Sequence, residues 1–219
     1  MRRQQGMRLD ERYVPYLQMA GLYHLARLND RWFRIDEPLL SAFVERWRPE
    51  MHTFHMPFGE YMIMLQDVAY QLELAVDGHY VSGCLTGFHI YIYIEGGRPA
   101  WVWFKEFLGV IPPSSQVQKF AVNCSWFQKT FGECPEGANE DTVRRFARAY
   151  IMMLLGTQLF ADKFGNHIHI RWLPYVARIE EMGSYSWGSA ALAWLYRCMC
   201  RVANRHVVKL ADPLQLLQS

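Results

Sequence analysis

The chain has 219 residues, which suits one domain or a domain with a small appendage. Apolar residues make up 51% and aromatic residues 15%, so a large core can be buried, while no apolar run reaches the roughly 18 residues that a membrane-spanning helix needs. A net charge of +2 does not by itself mark a polyanion binder, although the basic residues are lopsided, 18 Arg to 5 Lys, and arginine suits bidentate, partly buried contacts.

Residues 1–12 are polar and basic and are expected to form a flexible arm. They do not resemble a secretory signal. Residues 13–219 are expected to form a single domain. Residues 14–28 predict a helix with Leu17, Ala20, His24 and Leu28 on one side. Asp36 is placed to cap the next helix, Glu37 and Pro38 fit its first turn, and Leu39, Leu40, Phe43, Val44 and Trp47 make its apolar stripe. Arg48-Pro49 is expected to end it. Thr53 to Met56 and Tyr61 to Met64 predict a hairpin around the spacer Pro57-Phe58-Gly59-Glu60. A helix over 66–74 follows, with Val68, Ala69 and Leu72 inward, and Asp77-Gly78 marks a turn.

Phe88 to Ile94 alternates like a strand, and Gly96-Gly97 is expected to stop it. A helix is expected over 100–108. Residues 109–119, with Pro112-Pro113, look most like a linker. Asn139 is placed to cap a helix whose first turn carries Glu140 and Asp141, as the helix dipole prefers. Its stripe is Val143, Phe146, Ala147, Tyr150, Ile151, Leu154 and Leu155. Residues 167–172 predict a short strand. Ser186 starts a long last helix with Trp187, Ala190, Ala191, Trp194, Leu195, Cys198 and Val202 on one face. The fold class expected is therefore mainly α, a multi-helix globular domain with a small β-hairpin and one or two further short strands.

Residues that could carry chemistry form no convincing catalytic set. The five cysteines, Cys84, Cys124, Cys134, Cys198 and Cys200, are odd in number and contain no Cys-x-x-Cys, which predicts reduced thiols in an intracellular protein. His52 and His55 lie three apart, so on a strand they would face opposite ways. His167 and His169 could share a face, with Asp162 as the nearest third ligand for a metal. Cys198 or Cys200 with His206 could pair a thiol and a base, but nothing in the sequence orients them. Gly188-Ser189 falls inside a helix, where small residues allow close packing. There is no phosphate-binding loop and no nucleophile elbow. A pyridoxal enzyme needs a Schiff-base lysine, and Lys105, Lys119, Lys129, Lys163 and Lys209 stand in no recognisable site. No cofactor is called for.

The arginines offer more. Arg197, Arg201 and Arg205 recur every fourth residue along the last helix, and Lys209 extends the series. Arg144, Arg145 and Arg148 make a second group. Each group reads either as a solvated helix face or as a docking strip for an acidic protein or a nucleic-acid backbone. The tryptophans Trp47, Trp172, Trp187 and Trp194 are expected in the core.

Five blocks in order carry a resemblance. They are Glu45 to Glu50, His52 to His55, Leu65-Gln66-Asp67-Val68-Ala69, Ile168 to Pro174, and Tyr185 to Ala190 continuing through Ala193 to Arg197. Together they resemble the plant mobile domain over residues 13–218, and within that family the MAIN-like proteins. The resemblance implies a non-enzymatic, nuclear interaction domain acting with a protein phosphatase 7-like partner in transposon silencing, gene expression, genome stability and meristem maintenance. Such domains also occur inside transposable elements. The family has carried the label "aminotransferase-like", which the lysines do not support.

The chain departs from the family where Tyr61 replaces a small residue or Cys, and where Glu73 and Asp212 replace Gly. The stretch from Phe88 to Ile94 is also slightly longer than usual. It stops at Ser219, where the family commonly continues into a further helix, so this copy is expected to be C-terminally short: a fragment, a degenerate transposon-derived copy or a trimmed chain. Direct nucleic-acid binding through the arginine strips, and a hydrolase or metal enzyme built on His167, His169 and Asp162, are the alternatives.

Overall fold

The first predicted helix is two. Gly21 adopts φ +68, and its neighbours close a Schellman cap: the Leu22 amide donates to the Leu17 carbonyl at 2.9 Å and the Gly21 amide to Gln18 at 3.1 Å. This cap ends α1 (Val14–Met19), which follows a single 3-10 turn, and frees α2 (Tyr23–Asp30) to take a new direction. The apolar period runs through the break, so periodicity alone joined them. The computed structural model describes residues 7–30, 36–81, 93–94, 98–161 and 166–203. Within the basic arm, Met7 is buried, and Arg12 donates to the carbonyls of Cys134 and Pro135.

Asp36 caps α3 (Glu37–Arg46) through a 3.0 Å bond from the Leu39 amide. Leu40 is buried, but Leu39 lies exposed, so the inward stripe is narrower than predicted. The helix stops one residue before Trp47. Trp47 and Arg48 form β1 (Trp47–Arg48), which pairs antiparallel with β2 (Thr53–Met56). β2 in turn pairs with β3 (Gly59–Tyr61). The hairpin turn is only Pro57-Phe58, with Met56 opposite Gly59, so Gly59 and Glu60 belong to the strand and not to the spacer. Between β1 and β2, His52 sits in a turn at φ +55 and stacks on Tyr196, with ring centroids 5.9 Å apart.

α4 (Leu65–Leu72) follows, with Val68 and Leu72 buried. Of the predicted strand at 88–94, residues 88–92 lie outside the described residues; β4 (Tyr93–Ile94) pairs with β5 (Arg98–Pro99). α5 (Ala100–Leu108) agrees with prediction. The linker-like stretch is ordered: a 3-10 turn leads into β6 (Val117–Gln118), which joins β7 (Ala121–Asn123). β7 is central in this second sheet, because it also pairs with β8 (His167–His169), setting Val122 against Ile168. The predicted strand over 167–172 is thus β8 followed by a 3-10 turn.

Three helices were not predicted: α6 (Cys124–Phe131), α8 (Leu173–Ala177) and α9 (Ile179–Met182). Between them lies α7 (Glu140–Leu154), capped by Asn139 to the Thr142 amide at 3.0 Å. It continues into a π-helical turn over Leu155–Leu159, where Gly156 lets Ile168 of β8 approach. α7 gathers α1, α2, α5, α6 and α8 around itself. α10 (Trp187–Ala203) does the same for α3, α4 and β1. The buried side chains from Met7 to Met199 form one hydrophobic cluster. The architecture is mainly α with short antiparallel strands.

Candidate interaction surface

The start of α10 is an attachment point. Trp187 is fully buried and its indole N–H donates to the Met182 carbonyl at 2.8 Å. The Gly188 amide donates to Ala75 at 2.7 Å, and the Ser189 hydroxyl to Val76 at 2.5 Å. A Cβ on Gly188 would sit 3.1 Å from the carbonyl oxygens of Leu74 and Ala75. Ser186 completes the clasp with two bonds to the His79 carbonyl. Gly188-Ser189 therefore holds the segment 74–79 against α10; its small residues are there for close packing, as the sequence implied.

The far half of α10 differs. Arg197 and Arg201 are exposed and one turn apart, and Arg205 lies outside the described residues. The guanidinium of Arg197 lies over the half-buried Trp194 ring, 5.9 Å from its centroid. Arg171, from the block Ile168 to Pro174, lies 5.6 Å from the same ring and 4.7 Å from that of Trp172. Two guanidiniums thus flank one indole, the geometry in which an aromatic face holds cations in place. Arg171 was missed in the sequence, because its link to Arg197 runs through Trp194 and not through any spacing along the chain. Trp47, Trp172 and Trp187 are buried as expected, whereas Trp194, also expected in the core, is only half-buried at its edge.

The second arginine group is occupied inside the fold. Arg144 forms an ion pair with Glu180. Arg148 donates to the carbonyls of Val176 (3.1 Å) and Ala177 (3.4 Å) and lies over the Phe107 ring at 4.8 Å. Burial, and then the charge of Arg144, pull its pKa down to about 10. Arg145 lies against Gly109, where a Cβ would come within 2.8 Å of its guanidinium. Arg144 and Arg148 thus meet α8, α9 and α5, whereas Arg197 and Arg201 face outward.

The histidines have structural partners. His169 Nδ1 accepts the Arg171 amide at 3.2 Å, starting the 3-10 turn after β8. Burial, followed by the nearby Arg171 charge, holds its pKa down near 4. His167 Nδ1 lies 2.6 Å from Asn166 Oδ1. Asp162, Cys84 and His206 lie outside the described residues. Among the described residues, no three His, Cys, Asp or Glu side chains are grouped to hold a metal, and no helix is long and apolar enough to cross a membrane.

A family model, Plant mobile domain, matches residues 21–219. The chain belongs to the plant mobile domain family. Three curated relatives, all from Arabidopsis thaliana, are similar along most of it. Protein MAIN-LIKE 1 is 33% identical over 96% of this chain, which corresponds to 40% of that protein. Protein MAINTENANCE OF MERISTEMS is 35% identical over 85% of this chain and 38% of its own length. A serine/threonine-protein phosphatase 7 long form homolog is 35% identical over 97% of this chain, but only 15% of that protein. The chain thus spans well under half the length of these relatives. No solved structure matches it. In this plant mobile domain, the block Tyr185 to Ala190 forms the clasp that joins α10 to the 74–79 segment.

Proposed function

We propose that this plant mobile domain is a non-enzymatic protein-interaction module, nuclear like the MAIN-like proteins it resembles. In this reading it acts with a phosphatase 7-like protein in transposon silencing, gene expression and genome stability. The observation that carries the reading is the outer face of α10: Arg197 and Arg201 project outward beside Trp194, with no acidic partner among the described residues. The conspicuous polar groups elsewhere support it, since His169, Ser189 and Arg148 each serve the fold. Its likeness to well under half the length of longer relatives suits a recognition module within larger proteins.

Co-purification tests this reading. Tagged chain and full-length MAIN-LIKE 1 should each retain a phosphatase 7-like protein, and the paired change Arg197→Glu with Arg201→Glu should release it from this chain. Failure of both baits to retain it removes the partner from the proposal.

The same two arginines favour a second reading, contact with a nucleic-acid backbone. Duplex DNA titrated at several salt concentrations should then show a steep salt slope, reduced by Arg201→Glu. No binding at low salt ends it.

A further inference from the structure

The sheet β1-β2-β3 ends on β3, beyond which no strand follows among the described residues. All three residues of β3 are exposed. An open edge with apolar flanks is a standing template for pairing with another chain, and proteins usually blunt it. Here it is lined with large apolar side chains: Phe58 is 80% exposed, Tyr61 52% and Met62 55%.

The register explains what lies on each face. Phe54 pairs with Tyr61, and with Met56 and Ile63 they line a groove of about 300 Å³ whose wall is Phe43 of α3. Phe43 meets Phe54 edge-on, with ring centroids 5.5 Å apart. On the opposite face, His55 pairs with Glu60, and His55 Nδ1 lies 3.6 Å from Glu60 Oε1. The edge is therefore apolar on one face and carries a carboxylate on the other.

We infer that this edge receives an extended segment of another protein, with apolar and basic residues alternating, as a fourth strand beside β3. A strand's side chains alternate between faces. Those on the groove side meet Phe54, Met56 and Tyr61, and those on the other side meet Glu60. The groove is at the small end of binding cavities, which suits single side chains of a strand better than a helix or a folded domain. Main-chain bonds to the edge supply affinity and the groove supplies selectivity. Met56 and Met62 let that groove adapt to differing aliphatic shapes. A second copy of this chain fits worse, because antiparallel pairing of two β3 strands sets Glu60 against Glu60, and like charges directly opposite repel. The inference rests on the protein-interaction reading, but it uses neither the phosphatase-like partner nor the arginines of α10.

The test uses labelled peptides titrated against the whole chain by fluorescence anisotropy. The probes are an alternating valine–lysine peptide, its valine–glutamate counterpart, a scrambled valine–lysine peptide, and two copies N-methylated at the odd or the even amides. Saturable binding is expected of the alternating valine–lysine peptide. Scrambling, or replacing lysine by glutamate, should weaken it by about tenfold or more. One N-methylated copy should lose binding and the other keep it, because an edge pairs with only one set of amides. Glu60→Lys, at an exposed position, should leave the thermal midpoint unchanged and reverse the lysine-over-glutamate preference. Phe58→Ser should weaken every peptide. Absence of saturable binding, equal binding of both methylated copies, or indifference to Glu60→Lys overturns the inference. So does a dimer, detected by sedimentation, that Tyr61→Lys dissociates, since a second copy would then hold the edge. Retention of the phosphatase-like protein despite a failed peptide test would leave the proposed function standing.

Discussion

Glu73 closes α4 in the left-handed region, with φ +50 and ψ +34. The family resemblance places a glycine there, and the backbone shows why: a Cβ at this angle crowds the following carbonyl. The side chain meets His24 at 3.1 Å, but it is 65% exposed, so that pair offsets little of the strain. Glu73→Gly is expected to raise stability by about 0.5–1 kcal/mol, the relief of strain exceeding the added freedom of the unfolded chain. Urea unfolding measures it, and a loss of stability would contradict the argument. His169 gives the pH dependence. Its folded pKa is near 4, below the ordinary 6.5, so the folded state binds fewer protons between those values. Its contribution is complete above pH 6.5 and is lost as pH falls toward 4. His169→Asn keeps an acceptor for the Arg171 amide and should flatten the stability profile across that window. The sequence showed two histidines that could share a face; it could not show that one of them caps a turn.

At the scale of elements, caps and long stripes were legible, and short helices were not. Asp36 and Asn139 cap where the sequence places them, because a side-chain acceptor followed by an acidic or proline first turn is a local signal. α6 gives a weak signal: eight residues begin directly at the end of β7, and Trp126, Phe127 and Phe131 suit a strand as well as a helix. α8 and α9 are too short for periodicity to count, and their stability comes from Leu173, Val176, Ile179 and Met182 in the core. α10 illustrates the opposite case. Its stripe was plain, while the reason for Gly188 is tertiary, since segment 74–79 crosses there. Gly188→Ala should cost about 1–3 kcal/mol, because the branched Val76 side chain and two backbone oxygens all crowd the new methyl group. Denaturant unfolding of the variant measures this, and a neutral result would mean that the clasp is loose.

Across the whole molecule, two long helices organise the fold, α7 on one side and α10 on the other, and the arginines divide accordingly. Arg148 joins α7 to the carbonyls that end α8, so Arg148→Met should cost about 1–3 kcal/mol by leaving part-buried acceptors short of a donor. Arg201→Glu, on the open face of α10, should stay within about 0.5 kcal/mol. Thermal melts of the two variants compare them directly, and equal losses would erase the distinction between interior and surface arginines. The sequence by itself determined the helix-rich class, the main caps, the buried tryptophans and the family, because these rest on local periodicity and ordered motifs. Only the tertiary structure decided which arginines are engaged inside the fold and where, among the described residues, an open strand edge meets an apolar groove. Spacing along the chain says which residues share a face; what packs against that face is set by elements distant in sequence.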